Sequence, residues 1–148
     1  IYMTSIEQRG DSLGAMQDGS PIIAYYDTTA GNLKVAHCGD GTCGSGNVVT
    51  TIDPAANDVG QFASLYISAE NFANVIYYDA TAFDLKRARC TNITCAAATL
   101  NPLDAANSTG SEAAASVGVD GLPSYFYLDA TLGALKTIHC NNPQCIHI

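Results

Sequence analysis

The stretch YYDTTAGNLKVAHCGDGTC, running from Tyr25 to Cys43, decides how the rest of this chain is read. It recurs without gaps as YYDATAFDLKRARCTNITC from Tyr77 and as YLDATLGALKTIHCNNPQC from Tyr127, at spacings of 52 and 50 residues. Asp27, Asp79 and Asp129 fall on one position, Leu33, Leu85 and Leu135 on a second, and Lys34, Lys86 and Lys136 on the next. His37, Arg89 and His139 stand just before the first cysteine of each copy. A period near 50 residues is the mark of a repeat architecture, in which each copy is one supersecondary unit.

Within the first copy the pattern is that of strands. PIIAYYD is apolar with paired tyrosines, and NLKVAHC alternates Leu33, Val35 and His37 on one face with Lys34, Ala36 and Cys38 on the other. NVVTTID is β-branched, and SLGAMQ is short and built of small residues. Turn residues separate these runs, at Asp18-Gly19, Thr28 to Gly31 and Gly39 to Gly46. The reading is four short strands near residues 12–17, 21–27, 32–38 and 47–53, with equivalents in the other copies. The Ala-rich SEAAASVGVDG aligns with the first strand of the other copies and is read as strand despite its composition. A four-stranded meander at this period predicts an all-β, β-propeller-like fold of three antiparallel blades, with the small first strand lining the axis.

The six cysteines form three matched pairs with four residues between partners: Cys38 with Cys43, Cys90 with Cys95, and Cys140 with Cys145. An even count at one repeated spacing reads as local disulfides in an oxidising compartment. Zinc is the competing reading, but it favours shorter knuckles in facing pairs. Each disulfide would pin the turn after the third strand, for about 2 kcal/mol on the loop-closure model.

At this point the chain resembles a family of extracellular propeller-type repeats with the pattern G-x-P-x-x-x-Y-Y-D-x-x-x-x-x-L-K-x-x-x-C-x4-C. Gly19, Pro21, Tyr25, Tyr26, Asp27, Leu33, Lys34, Cys38 and Cys43 carry it in the first copy. The second copy departs at Phe72 to Asn74, where the Gly and Pro are missing. The resemblance implies secretion and a propeller-like fold, and no established enzyme activity.

The 148 residues carry a net charge of -8 from six Lys plus Arg. That balance argues against nucleic acid and against an anionic membrane surface. No apolar run approaches the roughly 20 residues of a membrane helix. The chain does not begin with Met, so we expect either a removed export signal or an excerpt of a longer protein. The repeated Asp27, Asp79 and Asp129 each end a strand and begin a turn, and are read as turn caps rather than catalytic acids. The lysines are read as structural charges, paired with Asp or lying between blades. No catalytic residue, metal ligand or cofactor is expected. Sequons at Asn92 and Asn107 fall in expected surface loops and are candidate glycosylation sites.

The two ends bear on function. Joined end to start, Cys145 is followed by IHI and then IYMTSIE, which places Glu7 on Asp53 of the first copy. The expectation is one three-blade unit over 1–148, with repeats at about 8–53, 54–104 and 105–148, whose last blade receives strand 1–7 from a neighbouring copy. Ile1, Tyr2, Met3 and Ile6 would meet Leu135, Ile138, Ile146 and Ile148 at that junction. Propellers have about 4 to 8 blades, so three call for a head-to-tail partner. The functional expectation is a non-enzymatic secreted structural protein that self-assembles as a filament or ring. The alternative is a lectin-like propeller binding glycans as a six-bladed dimer.

Overall fold

The computed structural model describes residues 11–54 and 58–145. The fold is all-β, with no helix among the described residues. Among the described residues, eleven strands form three antiparallel sheets in chain order. The first holds β1 (Ser12–Ala15), β2 (Pro21–Asp27), β3 (Asn32–His37) and β4 (Val48–Asp53). The second holds β5 (Val59–Ile67), β6 (Ala73–Asp79), β7 (Asp84–Cys90) and β8 (Ala98–Asp104). The third has three strands, β9 (Thr109–Val117), β10 (Pro123–Asp129) and β11 (Ala134–His139). Each sheet is a meander, so every strand pairs with its neighbour in sequence.

The first strand stops at Ala15, earlier than the sequence suggests, because the next residues are spent on a turn. Met16 N–H donates to the Ser20 carbonyl at 2.9 Å and Gly19 N–H to the Met16 carbonyl at 2.9 Å. Gly19 supplies the positive φ that this turn needs. The Ala-rich segment is strand, as Thr109–Val117, because its alternate residues face the second sheet.

Successive sheets pack face to face through their first strands. Strand β5 lies against β1, β2 and β3, and β9 lies against β5, β6 and β7. Two apolar layers result. One joins Leu33, Val35, Val59, Leu65, Val75 and Tyr77 between the first and second sheets. The other joins Tyr66, Ile76, Leu85, Tyr125 and Tyr127 between the second and third.

The two junctions are built alike. Val59 N–H donates to the Gly31 carbonyl at 3.0 Å, and Thr109 N–H to the Phe83 carbonyl at 2.9 Å. Leu65 N–H donates to Ser12 Oγ and Ala115 N–H to Ser64 Oγ, both at 2.9 Å. Gly60 and Gly110 take φ of 108° and 110°, at bulges where the register of β5 and β9 shifts. A Cβ on Gly60 would sit 2.7 Å from Leu33 Cα, and one on Gly110 2.8 Å from Leu85 Cα. The glycine of each sheet therefore seats the leucine of the one before it.

All six cysteines are paired, Cys38–Cys43, Cys90–Cys95 and Cys140–Cys145, and none is free. The bonds close the turns after β3, β7 and β11. They support an oxidising setting for the chain. No helix among the described residues is long and apolar enough to cross a membrane.

Candidate functional site

The repeated acids and lysines meet at the junctions between sheets. Asp27 Oδ1 accepts from the N–H groups of Thr29 at 3.0 Å and Ala30 at 3.2 Å. Asp79 Oδ1 accepts from Thr81 and Ala82 at 3.0 and 2.9 Å, and Asp129 Oδ1 from Leu132 at 2.9 Å. Each carboxylate is buried and turned onto the start of its own turn.

The lysines reach across to the sheet before. Lys86 Nζ lies 2.5 Å from Asp53 Oδ2 and 3.5 Å from Asp79 Oδ2. Lys136 Nζ lies 2.5 Å from Asp104 Oδ2 and 3.9 Å from Asp129 Oδ2. The hydroxyls of Tyr77 and Tyr127 donate to those same two oxygens of Asp53 and Asp104, each at 2.8 Å. Each ammonium also stands over its tyrosine ring, at 5.6 Å for Lys86 and 5.8 Å for Lys136. Burial, with the facing Asp53 carboxylate next, pushes the Tyr77 phenol well above its ordinary range, so it stays a donor.

A Tyr–Asp–Lys trio in one place would invite a catalytic reading. Here it occurs at both junctions in the same form, which is the behaviour of a structural bolt. Lys34 pairs with Asp27 of its own sheet.

Asp53 and Asp104, as the acids that grip the following sheet, were not assigned from sequence. The signal was present, since both end the fourth strand of their copy, but alignment shows which residues are equivalent and not which touch. The repeated tyrosines are largely interior. Tyr26, Tyr77 and Tyr127 are buried while Tyr25 and Tyr78 are half-buried, so no tyrosine position is exposed in every copy.

The two sequons differ in setting. Asn92 sits inside its disulfide turn, where Oδ1 accepts from Thr94 Oγ1 and Ala96 N–H, both at 3.0 Å. Asp40 does the same work in the first copy, accepting from Thr42, Gly44 and Ser45. The Gly44 N–H and then the Thr42 hydroxyl hold that exposed carboxyl far below the ordinary range. Asn107 is exposed with φ of 71°, while its sequon partner Thr109 is fully buried and donates from Oγ1 to the Asp104 carbonyl at 2.9 Å.

Among the described residues, the first and third sheets each have one face that no other sheet covers. Leu33 and Leu85 are 0% exposed beneath the following sheet, whereas Leu135 is 75% exposed. Phe126, on the same face of β10, is exposed too, while its equivalents Ala24 and Ile76 are buried. At the other end Leu13 is 70% exposed, although its equivalent Leu65 is buried against the first sheet. Ile138 points the other way from Leu135 and packs on the second apolar layer. Among the described residues β11 has no strand on its outer edge, where β3 and β7 hold β4 and β8. Ile1, Tyr2, Met3, Ile6, Glu7, Ile146 and Ile148 lie outside the described residues.

No protein-family model matches the chain, and no curated protein matches it at a significant level. Among the described residues no group of three or more His, Cys, Asp or Glu is arranged to hold a metal ion.

Proposed function

We propose that the chain is a non-enzymatic structural module of propeller-type blades that assembles head-to-tail with copies of itself outside the cell. The observation that carries this reading is the contrast between Leu135 and its two buried equivalents. The third sheet presents the face that the first and second use to receive a following sheet. The first sheet presents, with Leu13, Tyr25 and Lys34, the face that the second and third dock onto a preceding one. Two different, complementary faces make a heterologous contact, which closes into a ring or runs on as a filament according to the rotation per unit. A strand added on the outer edge of β11 would complete the last blade, with Glu7 of residues 1–7 in the place that Asp53 and Asp104 hold for the other junctions. The disulfides fit secretion. Glycan attachment belongs to the same reading, and at Asn107 it would precede folding of the third sheet, because Thr109 becomes buried. The lectin alternative asks for a repeated exposed ring, and the burial of Tyr77 and Tyr127 favours the structural reading over it.

The test is sedimentation velocity and electron microscopy over a concentration series. Wild type should associate. Leu135→Asp and Leu13→Asp should each remain folded by circular dichroism, yet stop growing. Mixed together, the two variants should form dimers and nothing larger, since each blocks one end. Assembly of Leu135→Asp indistinguishable from wild type would sink the reading.

A further inference from the structure

The layer between the second and third sheets contains a charge that has no ion-pair partner among the described residues. Arg87 stands where the first copy has Val35 and the third Thr137. Its residue is 3% exposed. Nη1 donates to the Gln144 carbonyl at 2.6 Å, while Nε is buried without a partner among the described residues. No ion pair to Arg87 occurs among those residues. Glu70 is already held by Arg89 at 2.5 Å and by the Gln144 amide at 3.1 Å. A buried guanidinium with a free N–H and no counter-charge is costly, and native folds seldom keep one uncompensated.

Beside it lies a small cavity of about 90 Å³, lined by Arg87, Arg89, Thr99, Asn101 and Gln144. Every lining residue is polar. The pairing of β7 with β8 sets Arg87 opposite Asn101 and Arg89 opposite Thr99, so these four share one face of the sheet. The volume matches roughly three waters at about 30 Å³ each, room for one compact polyatomic ion. Asn74 Oδ1, the other buried side-chain atom without a partner among the described residues, is an acceptor and calls for water or a donor rather than an anion.

We propose that this cavity binds a small oxyanion. The edge of a guanidinium presents parallel N–H donors that match two oxygens of a carboxylate or sulfate group. The Thr99 hydroxyl and Asn101 amide can donate to what remains. In a chain of net charge -8 the long-range field repels anions, so such a site must work through close contacts. The site lies within one chain and does not rest on self-assembly.

The experiment is thermal denaturation and titration calorimetry with sodium sulfate and, separately, sodium acetate, at ionic strength matched with sodium chloride. Wild type should show saturable heats of binding and a rise in Tm of about 4 °C at ten times the dissociation constant, growing with the logarithm of ligand beyond it. Sulfate alone acting would mark a free inorganic oxyanion as the ligand; acetate acting as well would extend it to carboxylates. Arg87→Val, which installs the residue of the first copy, should fold, hold its Tm in chloride and lose both the heats and the oxyanion-dependent rise. Thr99→Val should fold and weaken binding about tenfold, through one lost bond to a charged group. No saturable response of the wild type to either salt, or an unchanged response in both variants, would overturn the proposal.

Discussion

Asp104 shows how one residue ties two sheets. It closes β8, accepts from the Ala106 N–H at 3.0 Å, and offers Oδ2 to both Tyr127 and Lys136 of the following sheet. Burial raises its carboxyl, and the bonds from Lys136, Ala106 and Tyr127 together outweigh that and leave it below the ordinary value. Lys34 holds the Asp27 carboxyl down as well. Lys34 and Lys136 are themselves raised, chiefly by these same bonds. For the acids, the stabilisation is complete above the unfolded value of 3.8 and is lost as pH falls through the lower folded value. For the lysines it is complete below 10.5 and is lost as pH rises through the higher folded value. Tm should therefore be flat between about pH 5 and 9 and fall on both sides. Asp104→Asn should lower the plateau by about 4 °C and make the acid limb shallower, as read by a thermal scan against pH. An acid limb identical to wild type would show that Asp104 carries no such linkage.

At the scale of the strand, much was legible beforehand. Pro21–Asp27, Asn32–His37 and Val48–Asp53 occupy almost the residues marked out by the apolar run with paired tyrosines, the alternation of Leu33, Val35 and His37, and the β-branched run. What stayed hidden was contact between sheets. The upstream halves of β5 and β9, with Gly60 and Gly110, have no apolar alternation to reveal them, and their role depends on a leucine more than twenty residues earlier in the chain. Arg87 was visible only as a departure from the repeat, a charge where Val35 stands. These junctions carry a prediction. Gly60→Ala and Gly110→Ala should each cost about 3 kcal/mol, from a strained φ and from overlap with Leu33 or Leu85. Leu85→Ala should cost a similar amount by opening a cavity, while Leu135→Ala should leave the stability of a single unit within about 0.5 kcal/mol. Urea denaturation at a concentration below assembly measures all four, and equal losses at Leu85 and Leu135 would contradict the exposure of the latter.

The whole molecule is a row of three units, each touching its neighbours through the same glycine–leucine seat and Tyr–Asp–Lys bolt. The repeat made the number of units readable. The shape into which a longer row would bend is set by the rotation between sheets, which no single copy encodes. The disulfides add a mechanical consequence. All three lie inside a sheet, so the connecting chain is the single covalent link from one sheet to the next. A unit pulled from its ends should yield in instalments, one sheet at a time, as expected where stability comes from nearest neighbours. Each step should release roughly 150 Å of contour at about 3.5 Å per residue, with the short loop behind each disulfide withheld. Reducing the bonds should lengthen every step by about 13 Å, the slack of five residues less the span they already bridge. Optical-tweezer traces with and without reductant would read both lengths, and a single rip of the entire chain would show that the row behaves as one block. Pulled in this way, the chain would act as a shock absorber with three settings, and the cysteines would decide how far each one travels.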